Sequence, residues 1–286
     1  MRVLVTPDEI RTAASGGKAK QLAALSEIAC VPRFVALIGE DDEDVSLPTV
    51  STVLQHFEHG VREELFAVRS SANVEDSSEL SFAGLFTSIL GVDRADLPGA
   101  IDTVVRSVHA DRVRVYCQSR GCNVEDIHMS VIVQLMVPAD RSGVCFSRAN
   151  EHPNYSRVEA VLGLAEPLVS GMVSPDSYRV DRTTREVIVD QLGYQKRGLY
   201  LSENGVLQRQ IPAFDRHATK LLDREAVEVS LLALAIERSQ RYAAVDIEWA
   251  YVDERLYLLQ ARPFTGFDRL EHLVTPYDAH RTDNAT

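Results

Sequence analysis

The stretch "VDIEWAYVDERLYLLQARP", residues 245–263, alternates apolar and polar residues on either side of an Asp-Glu turn. Such alternation describes two half-buried strands folded back on each other. Residues 246, 248 and 250 share one face of the first strand, as do 258, 260 and 262 of the second. A three-residue loop, Val252-Asp253-Glu254, sets Glu248 opposite Leu258 and on the same face as Gln260 and Arg262; a loop of even length points them apart. On that expectation Asp246, Glu248, Gln260 and Arg262 gather on one side, with Ile247, Trp249, Leu259 and Ala261 on the other. The plainer reading is a solvent-facing strand pair with a stray acid.

Upstream, "AVRSSANVEDSSELSFAGLFTSILGV", residues 67–92, runs from one apolar strand to another through Arg69, several serines and a Phe-Ala-Gly step. "KAKQLAALSEIA", residues 18–29, carries Leu22, Leu25 and Ile28 at helical spacing behind Ser-Gly-Gly, a loop that opens a helix. Helix N-termini present unpaired N–H groups, so an anion is at home there. Between these, "RFVALIG" reads as a short strand, 40–52 as an acidic loop and 53–65 as a brief helix. Residues 95–120 read as a helix or helix pair, "MSVIVQLMV" as a buried strand, and 143–147 and 157–163 as further strands. "LLDREAVEVSLLALAIERSQRYA" is the clearest amphipathic helix, and about twenty polar residues end the chain as a tail.

With 286 residues, 45% of them apolar, the chain can fill a sizeable core in one large domain or two lobes. Its net charge of −12 lacks the basic footprint of a nucleic-acid binder or a polybasic membrane anchor. An anionic ligand must therefore meet a local cluster of Lys and Arg. The four cysteines show no metal-ligand spacing, no secretory leader is recognisable and no apolar run approaches the roughly 20 residues that cross a bilayer. A reduced, cytoplasmic protein is expected, and none of the eight histidines sits in metal-ligand spacing.

Five segments together carry a resemblance: "GGKAKQLAALSEIACVPRFVAL", "AVRSSANVEDSSELSFAG", "MSVIVQLMVPADRSGVCFS", "GLAEPLVSGMVSPDSYRV" and "VDIEWAYVDERLYLLQARP". In order and spacing they resemble the ATP-binding domain of the pyruvate phosphate dikinase and phosphoenolpyruvate synthase family, to which rifamycin phosphotransferases also belong. The resemblance implies an α+β, ATP-grasp-like, two-lobed domain with mixed or antiparallel sheets and flanking helices. It implies Lys18 and Arg69 on nucleotide phosphates, Glu248 and Gln260 on Mg²⁺, and Arg262 as a neighbouring phosphate ligand. Catalysis would then rest on Lys18, Arg69 and Arg262. Ser81, Ala83 and Gly84 would admit main-chain N–H groups to the phosphates. Gln134, Leu135, Met136 and Val137 would receive the adenine, and Glu166 the ribose or a nearby part of the nucleotide.

The physical chemistry is compatible with these roles. A cation about 4 Å from a phosphate charge is worth roughly 4 kcal/mol at an effective dielectric near 20, so two or three can offset an acidic chain. Mg²⁺ prefers oxygen ligands and takes one or two from protein, the rest from phosphate and water.

Expected lobes are 1–92, bearing phosphate loops, and 93–265, bearing nucleotide and metal positions, followed by a polar tail, 266–286. Departures from the family pattern are a short segment between "VALIG" and "FAVRSS", Leu85 and Phe86 after "SFAG", Ala165 in place of a Gly, and no residues matching a swivelling His domain. The implied activity is an ATP-dependent phosphotransferase acting on a small-molecule acceptor or on a His of a separate protein. A non-catalytic ATP-binding module and the ATP-binding half of a split enzyme are the alternatives. Neither nucleic acid nor membrane is expected as a partner.

Overall fold

The computed structural model describes residues 1–39, 47–57, 64–74, 82, 84–149, 152–203 and 205–264. The expected tail, 266–286, lies outside the described residues, as do Ser81 and Ala83. The chain opens with β1 (Arg2–Leu4), α1 (Pro7–Thr12), α2 (Gly16–Leu25), β2 (Phe34–Ile38), α3 (Leu47–Phe57), β3 (Phe66–Ala72) and β4 (Ser88–Val92). A helix pair follows, α4 (Leu97–Arg106) and α5 (Asp111–Arg120), and then β5 (Met129–Leu135). Helix α3 lies ahead of the expected 53–65, because Val50, Val53 and Phe57 are the residues whose spacing fills the core.

These strands form an antiparallel sheet in the order β1-β2-β5-β3-β4. Period-two alternation sorts its faces. Val35, Leu37, Phe66, Val68, Val131 and Val133 pack with Ile101 and Val104 of α4 on one face. Ala36 and Ile132 pack on the other with Ile10 of α1 and Leu22 of α2. Ala67, Arg69, Ser71 and Gln134 belong to that second face.

The division expected at 92/93 is therefore corrected. Strand β5 lies in the middle of the first sheet, between β2 and β3, and the chain crosses to the second sheet over residues 136–140. There Met136 N still donates to Leu65 O of the first lobe at 2.9 Å, whereas Asp140 N donates to Tyr251 O of the second at 2.9 Å.

The second half comprises β6 (Arg141–Phe146), β7 (Tyr155–Leu162), α6 (Glu166–Val169), β8 (Asp176–Asp181), β9 (Val187–Gln191), β10 (Arg197–Ser202), β11 (Gly205–Gln210), α7 (Asp223–Gln240), β12 (Val245–Val252) and β13 (Arg255–Pro263). Six strands form an antiparallel sheet ordered β13-β12-β6-β7-β8-β9, while β10 and β11 make a separate hairpin. Val229, Ala233 and Ile236 of α7 cover one face, over Val158, Tyr178, Ile247, Trp249 and Leu258. Gly143 is required there: a Cβ would lie 2.8 Å from the Trp249 ring and 1.8 Å from Glu159 O. The opposite face of the sheet, bearing Asp246 and Glu248, looks away from α7.

One buried ion pair fixes the chain just before α7. Asp176 and Lys220 side chains are 0% and 1% exposed, with Oδ1 and Nζ 3.0 Å apart. Asp176 also accepts from Gly193 N at 2.7 Å, Lys220 N at 2.8 Å and Tyr178 OH at 2.8 Å, and Lys220 Nζ donates to Gly193 O at 2.9 Å. Every charged atom has several partners, as a buried pair requires.

Candidate functional site

Strand β3 supplies the first element of the site. Arg69 and Ser71 point to the α2 side of the sheet, and Ser71, fully buried, ties the start of α2 to the strand. Its Oγ accepts from Ala19 N at 3.0 Å and donates to Ser15 O at 3.0 Å. Ser71 thus does from a distance what an N-cap side chain does locally. Gly16 permits the approach: it sits at φ +72°, and a Cβ would fall 2.0 Å from Ser71 O. Lys18 follows in the first turn of α2, in the same cleft as Arg69.

Hairpin β12–β13 supplies the second element, by a route the sequence did not reveal. Val252 pairs with Arg255 and Trp249 with Leu258, so the loop is the two residues Asp253-Glu254. Continued without interruption, that even loop would set Glu248 opposite Leu259 and turn Gln260 away. The register shifts between Glu248 and Trp249, and from there Glu248 pairs with Gln260 and Asp246 with Arg262. Leu259 is the extra residue of a β-bulge. Glu248 therefore faces Gln260 directly and not Leu258 as expected; the four polar residues do share one face.

Across the interlobe cleft, Arg69 reaches this ladder. Its Nη2 donates to Glu248 Oε2 at 3.2 Å, and its Nη1 to Gln260 Oε1 at 3.4 Å and to Leu259 O at 3.2 Å. Arg262 is held by Asp246, with Nε 2.7 Å and Nη2 2.6 Å from Oδ2. Burial pushes the Asp246 carboxyl above its ordinary value, Arg262 pulls it back, and neighbouring Glu248 raises it further.

The cleft has a volume of about 1000 Å³. Lys18, Arg69, Gly84, Gln134, Leu135, Met136, Val137, Glu166, Glu248, Gln260 and Arg262 all line it. Every sequence-predicted site residue within the described set is thus brought to one place. Leu90 and Leu164 add apolar wall, and so does Phe86, which stacks on Phe82 with ring centroids 5.8 Å apart. Sequence reasoning set Asp246 on the polar face of the hairpin but gave it no role. Its signal was its place two residues before Glu248 on an alternating strand.

Among the described residues no cluster of three or more His, Cys, Asp or Glu could hold a metal by itself. Glu248 Oε2 and Gln260 Oε1 nevertheless converge on one cation, the Arg69 guanidinium. Two oxygens so aimed fit an ion that draws its other ligands from phosphate and water.

The pyruvate phosphate dikinase, AMP/ATP-binding domain family matches residues 44–280 of the chain. This chain belongs to that family. A probable phosphoenolpyruvate synthase of Methanocaldococcus jannaschii is 31% identical over 263 residues, covering 90% of this chain and 22% of that protein. A rifampicin phosphotransferase of Bacillus subtilis is 31% identical over 228 residues, 78% of this chain and 26% of its own length. The phosphoenolpyruvate synthase of Pyrococcus furiosus is 33% identical over 243 residues, 79% and 29% respectively. The chain thus spans between 22% and 29% of the length of these relatives. As in the expectation drawn for this family, the fold is α+β with helices flanking its sheets, and the described sheets are antiparallel throughout. No helix among the described residues is long and apolar enough to cross a membrane.

Proposed function

We propose that the cleft binds Mg-ATP and that the chain is the nucleotide-handling part of an ATP-dependent phosphotransferase. The observation that carries this reading is the meeting of Lys18, Arg69 and Arg262 with Glu248 and Gln260 in one cleft with an apolar wall. Three cations answer the charge of a triphosphate that the acidic chain as a whole would repel.

In this reading Lys18, Arg69 and Arg262 bind the phosphates and neutralise charge that spreads over the transferred group. The N-terminal turn of α2 and the chain at Gly84 offer main-chain N–H groups. Glu248 and Gln260 hold Mg²⁺, which when bound supplies positive charge to the phosphate oxygens. Residues Gln134–Val137 take the adenine and Glu166 the ribose side. Gln134 supports the base assignment: it is 2% exposed, and its Nε2 has no hydrogen-bond partner among the described residues. A buried donor left unpaired costs about 1–3 kcal/mol, and an acceptor on a base edge removes that cost.

The acceptor is a small molecule or a His on a separate protein. A cytoplasmic setting belongs to the same proposal. Incubation with Mg-ATP and a panel of acceptors, with AMP, ADP and phosphate resolved by chromatography, tests it. Acceptor-dependent release of AMP or ADP is the expected result; nucleotide binding without turnover over the whole panel would leave a binding module instead.

A further inference from the structure

We infer that Arg69 is a resident counter-ion that keeps the divalent-cation position closed until a nucleotide draws it away. This deepens, and rests on, the reading of the cleft as a Mg-ATP site.

The guanidinium bonds both oxygens proposed to ligate the cation, Glu248 Oε2 at 3.2 Å and Gln260 Oε1 at 3.4 Å. Its third acceptor, Leu259 O at 3.2 Å, belongs to the bulge residue. Arg69 stands on β3 of the first sheet, whereas all three acceptors stand on the hairpin of the second. One side chain therefore spans the cleft and fills the place where a cation would sit.

A guanidinium and a divalent cation compete for the same carboxylate, because like charges a few ångströms apart repel. The Arg69 and Glu248 side chains are 16% and 24% exposed, so this pair is far less enclosed than Asp176–Lys220 and can exchange partners. A phosphate offers a guanidinium a planar, bidentate, charge-assisted match, with geometry better than the single long contacts seen here. Arrival of a triphosphate thus moves Arg69 from carboxylate to phosphate and releases Glu248 and Gln260. Metal and nucleotide then bind with positive coupling, each strengthening the other by the same factor.

The test titrates the full chain with Mn²⁺ alone, reading bound metal by electron paramagnetic resonance, for the wild type, R69M, R69K and R69M/E248Q. Binding of a labelled non-hydrolysable ATP analogue is measured separately by equilibrium dialysis, with and without Mn²⁺. Removing the guanidinium beside the carboxylate is expected to tighten binding of free Mn²⁺ by about tenfold or more. R69K, which keeps the charge but loses the fork, should fall between wild type and R69M, and R69M/E248Q should lose the gain. Equal affinity of wild type and R69M for free Mn²⁺ would overturn the inference. If R69M fails to fold by circular dichroism, R69K decides: affinity unchanged from wild type overturns the inference equally. Failure of the analogue to bind wild type, with the gain in R69M intact, would sink the nucleotide reading and leave the counter-ion standing.

Discussion

Two Asp/Glu–cation pairs, each with its acid in the second lobe, have opposite characters. Asp176–Lys220 is sealed beneath the six-stranded sheet, and each charge is shared among several backbone and side-chain partners. Glu248–Arg69 lies in the open cleft, joins two lobes and is made by contacts of 3.2 Å or more. Saturation and burial mark the first as a clamp whose loss strands a charge; the second can be undone in exchange for a ligand. A charged pair is thus read by counting what else its atoms touch.

The largest effect expected from breaking this contrast is at the clamp. Lys220→Met leaves Asp176 buried and uncompensated, so chemical denaturation should show a loss of about 3–5 kcal/mol. A loss below about 1 kcal/mol would mean that the pair is ordinary surface chemistry. Next, Glu248→Ala should change stability by less than about 1 kcal/mol while lowering acceptor-dependent turnover roughly 10²–10³-fold, the scale of one lost electrostatic contact in an active site. Unaltered kinetics would remove the hairpin from the site.

The smallest effect comes from Asp246, which combines both characters. Burial raises its carboxyl above the unfolded value, so the folded protein binds that proton more tightly than the unfolded chain. The ionised form therefore costs stability above the raised value, and the cost vanishes as the pH falls toward the unfolded value near about 3.9. Asp246→Asn should accordingly be as stable as wild type or more so at neutral pH, with the difference closing in acid. Turnover should fall roughly tenfold, because Arg262 loses the partner that orients it. Denaturation curves at two pH values and a kinetic assay check both halves.

Much of this was readable from the letters. Gly-Gly-Lys opens a helix, the strand through Arg69 has its alternation, and 245–263 fold back as a hairpin, because each signal is local and periodic. The lobe boundary was not legible: that β5 inserts between β2 and β3 is a matter of long-range pairing, which no window of sequence contains. Strands β8 to β11 were missed too. "GVLQRQ" and "VIVDQ" are short and largely exposed, and strands that bury little leave a weak pattern. Within the site, the convergence of Glu248, Gln260 and Arg262 was anticipated for the wrong reason. Face parity was counted from a three-residue loop, while the chain uses two residues and adds Leu259, an apolar letter that looks like any strand residue.

That added leucine gives the hairpin an unusual freedom of length. A chain lacking residue 259 would run as an unbroken ladder from Trp249–Leu258 straight to Glu248–Gln260 and Asp246–Arg262, forfeiting the carbonyl that Arg69 grips and the packing of the Leu259 side chain beside Ala139, Leu164 and Ala250. A residue added on the other side of the turn, by contrast, would invert every side chain beyond it. Natural variation in this segment should therefore be lopsided: excisions at 259 survivable, insertions in β12 ruinous.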